Sequence, residues 1–245
     1  MKKAGMKKGK NKEFSTPYTV TNAVAKGNII TKLSLLIMGL GNIAHKQIGK
    51  GIMFLAVEAA YIWYMIQSGI YNLSMLPSLG WREQEKVWNE KKSIYEYTAG
   101  DQSSLILLYG VATVYITAMF IIVWRESVKS SYKSEVLAKS GKHLNNFKED
   151  CKSLLDQNLY KLLLAAPVMG ILIFTILPLI YNITMAFTNY SKVNDHLVLF
   201  DWVGLANFKK ILNFGDSIGK QFYSVLGWTL IWAIVATALN YILGM

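Results

Sequence analysis

The sequence predicts an all-α integral membrane protein with about four transmembrane helices plus interfacial amphipathic helices. Three observations lead there. Runs 104–124, 162–187 and 222–245 contain no charged residue, and a fourth, 51–70, is interrupted only by Glu58. At ~1.5 Å rise per residue each run crosses or nearly crosses a ~30 Å hydrocarbon core. The formal charge of +11 is gathered into the segments between the runs, as expected of topology signals. A soluble chain this basic would suggest nucleic acid, but no aromatic interleaving or folded module accompanies the lysines. Nucleic-acid binding is therefore excluded as a partner class.

Residues 1–28 hold seven lysines against one acid, Glu13, and read as a basic, disordered cytoplasmic leader. No small-residue cleavage site follows it, so no signal peptide is expected. Residues 29–160 form an N-terminal membrane region. Its first part, 29–50, has an apolar run too short to span, broken by Gly39, Gly41 and Gly49. This predicts an interfacial or re-entrant helix and turn. The glycines match neither the dinucleotide fingerprint nor the phosphate loop.

The first span is 51–70, with Tyr61, Trp63 and Tyr64 placed as aromatic anchors. Glu58 lies within it, where a carboxylate costs about 2.5–3.5 kcal/mol on insertion scales. It is therefore a candidate buried polar contact or substrate-path residue. Glu58-Ala59-Ala60 has a partial likeness to the coupling signature of bacterial ABC permeases, which its place inside an apolar span makes accidental. Residues 71–103 are slightly acidic and aromatic, as expected outside the cell. The second span, 104–124, is ended by Arg125. The 125–160 loop is net positive, and its apolar residues recur at helical spacing, which predicts a cytoplasmic amphipathic helix.

Residues 162–187 form the third span and carry Pro167 and Pro178. Each proline removes a backbone donor, which neighbouring helices in a membrane bundle can compensate. A kinked helix in a polytopic bundle is expected, with Asn182 a second candidate buried polar or substrate-path residue. The fourth span is 222–245. Lys and Arg near the spans place the N-terminus in the cytoplasm.

No catalytic residues are expected. Three histidines and one cysteine make no triad, metal spacing or haem site, no cofactor motif appears, and an enzyme is not predicted. Cys151, alone, forms no internal disulfide.

The third span, with Leu177-Pro178-Leu179-Ile180, leads into Ala186-Phe187-Thr188-Asn189-Tyr190-Ser191 and then Trp202-Val203-Gly204-Leu205-Ala206-Asn207-Phe208-Lys209-Lys210-Ile211-Leu212. Residues 161–245 thereby resemble the start of the transmembrane domain of binding-protein-dependent ABC sugar permeases, most of all the maltose/maltodextrin type with extra N-terminal spans. The resemblance implies a carbohydrate importer working by alternating access, with a midplane substrate site. It implies a second permease subunit, cytoplasmic ABC ATPase subunits, an extracellular solute-binding protein and membrane lipid as partners. It also makes 203–212 an outer interfacial helix, with Leu205, Phe208 and Leu212 on one face. The family's coupling loop has no counterpart before Met245, so the N-terminal part of a longer permease is expected. The alternative is a membrane scaffold recruiting partners through its basic segments.

Overall fold

The computed structural model describes residues 18–156, 158–190 and 199–245. The leader is outside the described residues as far as residue 17, as is Ser191 of the motif above. Among the described residues the chain is helical apart from one hairpin. The helices are α1 (Val20–Lys26), α2 (Ile29–Leu33), α3 (Leu40–Ala44), α4 (Ile48–Tyr64), α5 (Ile70–Met75), α6 (Ser103–Lys139), α7 (Phe147–Leu155), α8 (Leu159–Gly170), α9 (Leu177–Met185), α10 (Ala206–Leu212) and α11 (Ser217–Gly244). Strands β1 (Lys86–Asn89) and β2 (Ile94–Tyr97) pair antiparallel, with Trp88 opposite Tyr95.

Among the described residues, four helical stretches are long and apolar enough to cross a membrane: Ile48–Met75, Ser103–Lys139, Leu159–Met185 and Ser217–Gly244. The fold class is thus an all-α membrane protein. Two of the four are continued through π-helical turns. Met65–Gly69 joins α4 to α5, and Ile171–Ile176 joins α8 to α9. The second turn lies between the prolines, with Pro167 inside α8 and Pro178 at the start of α9. Proline in a helix interior removes a ladder bond, and a local π register is one way to absorb it. Pro178 comes two residues after that turn, so the change of register falls where its missing donor would otherwise break the ladder.

Residues 18–28 of the leader are not disordered, since they carry α1 with Ala23 buried, and several span boundaries differ from expectation. The first apolar helix continues past residue 70 to Met75. The second does not stop at Arg125 but runs on as a 37-residue helix to Lys139. Its continuation is polar yet well covered, because Ser127, Ser131, Ser134 and Glu135 are buried. The amphipathic helix of the basic loop is confined to α7. Asn146 starts it with a reciprocal cap: its side chain accepts from the Phe147 N–H, and its own N–H donates to Glu149.

The chain divides into two compact units. One comprises Met1–Tyr71 with Thr113–Leu172, the other Asn72–Ala112 with Ile173–Met245. In the first, Ala23, Val128, Tyr132 and Val136 form the core. Tyr61 donates to Thr117 at 3.1 Å and stacks on Phe120, while the Tyr64 hydroxyl meets that of Thr113 at 2.8 Å. Both tyrosines thus serve helix packing, since a hydroxyl in hydrocarbon needs a partner. Trp63 remains exposed. In the second unit, Leu79, Leu107, Val111 and Phe200 are the buried core.

Candidate functional site

Two polar arrangements stand out, one in each unit. In the first, 28–47 folds against α6 through a seam of hydrogen bonds. Glu135 accepts from the Asn28 N–H at 2.9 Å and the Thr31 hydroxyl at 2.6 Å, and is ion-paired to Lys139. Ser127 accepts from the Gly39 N–H at 3.1 Å. The Asn42 amide donates to Gln47 and Ser130, each at 2.9 Å, and its carbonyl accepts from Ser131 at 2.9 Å. Backbone groups outside a continuous helix need partners when buried, and these side chains supply them. Gly39 adopts φ +78°, and a Cβ there would collide with the Gly51 backbone, so the turn requires glycine.

Glu58 belongs to this arrangement. Its carboxylate accepts the Met38 N–H at 2.8 Å, tying the turn between α2 and α3 to the first span. The donor residue, Met38, is fully buried. The geometry gives Glu58 an anchoring contact. The serine series 127, 130, 131, 134 is the part that sequence reasoning missed. Its i, i+3/i+4, i+7 spacing within an otherwise charged segment was the signal available.

In the second unit the arrangement is a clasp between the end of α9 and the start of α10. Thr188 and Trp202 form an isolated antiparallel bridge. Around it, Asn189 N–H donates to Asp201 O at 3.0 Å and Val203 N–H to Phe187 O at 2.8 Å. The Asn207 amide donates to the carbonyls of Ala186 (3.0 Å) and Thr188 (2.7 Å), just beyond the end of α9. Trp202 Nε1 donates to Leu76 O at 3.0 Å, and Phe200 N–H to the Ser103 hydroxyl at 3.1 Å. The two sequence pieces that carry the resemblance, 186–191 and 202–212, are therefore joined through their described residues in one structural device.

Of the three residues placed on the α10 face, Phe208 packs on Phe187 at 5.1 Å between ring centroids. Leu205 precedes the helix as its cap, and both Leu205 and Leu212 are exposed. Asn182 is exposed on α9, and its carbonyl accepts from the Ala186 N–H. Asn182 and Glu58 lie in different units. Asn207, which sequence reasoning did not single out, does most to hold the clasp.

Between the first two spans, Asp101 accepts the N–H groups of Trp81 (3.0 Å) and Arg82 (3.1 Å) and faces the Arg82 guanidinium. These backbone donors hold its carboxyl below the usual range. Among the described residues no three His, Cys, Asp or Glu side chains converge as metal ligands, and Cys151 is a free, half-buried thiol.

A helical membrane protein with several membrane-length helices is consistent with the permease class, and the relatives are of that class. The chain is 29% identical over 232 residues to the maltodextrin transport system permease protein MdxF of Bacillus subtilis, covering 93% of this chain and 48% of that protein. It is 28% identical over 214 residues to the maltodextrin permease protein MalC of Streptococcus pneumoniae, covering 86% and 45%. It is 26% identical over 223 residues to the galactooligosaccharides permease protein GanP of B. subtilis, covering 88% and 48%. The chain thus resembles permeases of sugar ABC transport systems, which are not enzymes. It spans about half the length of the curated relatives it matches. No protein-family model matches the chain, and no solved structure does so significantly.

Proposed function

We propose that the chain forms the N-terminal part of a permease subunit of an ABC importer for a carbohydrate, with a maltodextrin-type oligosaccharide as substrate. The observation that carries this is the similarity to three oligosaccharide permeases over 86–93% of the chain. In this reading a solute-binding protein delivers the sugar outside, and a second permease subunit and cytoplasmic ATPases complete the machine. The bundle then alternates access around a midplane site. The N-terminus and α7 lie in the cytoplasm. Residues 1–28, 29–160 and 161–245 divide into leader, N-terminal membrane region and permease core. The clasp at 187–208, with α10, packs at the outer membrane face and frames the docking surface for the binding protein. Glu58 anchors the re-entrant segment, and Asn182 faces the substrate path.

The test is uptake of labelled maltotriose and of a galacto-oligosaccharide in cells lacking the gene, complemented by the full open reading frame. Loss of maltodextrin uptake on deletion is expected. Unchanged uptake of both sugars would sink the transport reading. Orientation has its own check: Cys151 should react with a membrane-impermeant maleimide only in inside-out vesicles.

A further inference from the structure

An open groove of about 740 Å³ runs between α4, α6 and α7, all within the first unit. That volume is in the range that holds a sizeable organic ligand. Its wall is of two kinds. Phe54 and Val57, from the early turns of the first span, and Leu154 of α7 supply an apolar floor. Lys50, Lys133 and Lys161 supply three ammonium groups at its rim. None of the three lysines forms an ion pair among the described residues. The one carboxylate in the wall, Asp150, is already engaged by the Asn145 amide at 3.2 Å.

The position of the groove along the helices matters. Lys50 stands at the start of a membrane-length helix and Lys161 at the start of another, so the basic rim marks the membrane edge and the apolar floor runs into the hydrocarbon. The groove is also a built feature. Phe147 packs directly on the backbone of Gly49, where a Cβ would come within 2.5 Å of its ring, so α7 sits as close to α4 as a helix can. A protein helix laid here would bury three cations without a carboxylate partner, at a large desolvation cost. A zwitterionic lipid would bring its own cation against them.

We propose that this groove is a binding site for one anionic phospholipid. An acyl chain lies along Phe54, Val57 and Leu154, and the phosphate sits among Lys50, Lys133 and Lys161. The chemistry is that of a basic inter-helix pocket at a membrane edge. The site does not depend on the transport reading.

Native mass spectrometry of the purified chain tests it, with phosphatidylglycerol and phosphatidylcholine titrated separately. The wild type should retain one phosphatidylglycerol and discriminate against phosphatidylcholine. Each lysine near a surface contributes about fivefold, so K50Q/K133Q/K161Q should weaken phosphatidylglycerol binding on the order of a hundredfold. The charge-retaining K50R/K133R/K161R should keep it, and Val57→Trp, which fills the floor, should lose it with the lysines intact. Unchanged helical circular dichroism confirms that each variant is folded. Equal retention of both lipids, or a glutamine variant within twofold of wild type, overturns the proposal. So does a lipid-free dimer in which a photoreactive probe at Leu154 crosslinks to a second copy.

Discussion

Replacing Glu58 with alanine removes the acceptor from a buried N–H and separates anchoring from transport. The bond is 2.8 Å long and its donor residue, Met38, is fully buried. A hydrogen bond to a charged group contributes about 1.5–3 kcal/mol, and an orphaned buried donor costs about 1–3 kcal/mol. We therefore expect Glu58→Ala to release the turn between α2 and α3 by about 2 kcal/mol, roughly a thirtyfold rise in its opening equilibrium. Glu58→Gln keeps a carbonyl acceptor in the same place and loses only the charge. It should stay within about 1 kcal/mol of wild type, a fivefold change at most. Hydrogen–deuterium exchange of a peptide covering 35–44 reads this directly. Exchange unchanged in the alanine variant would refute the anchor, as would equal effects of alanine and glutamine. In the full transporter, uptake should follow exchange. A glutamine variant with normal exchange and no uptake would instead place the Glu58 charge on the substrate path.

Asn207→Ala removes both donors from the clasp and should destabilise it by about 2 kcal/mol, seen as faster tryptic cleavage at Lys209 and Lys210. Gly49→Leu forces a side chain into the Phe147 ring, and overpacking of this kind costs about 1–3 kcal/mol. α7 should detach and Cys151 should label with maleimide several-fold faster. Asp101 gives a pH test whose sign follows from its lowered pKa. The stability it contributes is fully present above its ordinary pKa, about 3.9 for an unperturbed aspartate, and is lost as pH falls through the lower folded value. The emission of Trp81 should therefore be flat from neutral pH down to that point and change only below it, and Asp101→Asn should abolish the step.

The four spans were legible because lipid demands long uncharged runs, a constraint that needs no knowledge of partners. The prolines were legible for the same reason, as donors removed from a helix, although the π turn at Ile171–Ile176 that accommodates them was not. Arg125 misled as a stop. A charge ends the hydrocarbon-compatible run, but it does not end a helix whose next turns find polar partners. Those partners were invisible because they come from far along the chain: Ser127 with Gly39, Ser131 with Asn42, Glu135 with Asn28. The clasp was half legible. Its two sequence pieces carried the resemblance, yet only the fold reveals that Asn207 joins them by donating to two carbonyls just past the end of α9. Likewise Phe208 could be placed on an apolar face, but its packing against Phe187 could not be read from periodicity.

The seam along α6 also sets an order of events during synthesis. Asn28 and Glu135 are 107 residues apart, and Thr31 and Glu135 are 104 apart. At ribosomal rates of about 5–20 residues per second, the early segment waits on the order of 5–20 s before its carboxylate exists. Through that interval the Asn28 N–H and the Thr31 hydroxyl have only water or lipid headgroups as partners. This segment thus reaches its final place only after the first two membrane-length helices have been made. A chaperone or insertase that shields residues 28–47 would act in that window.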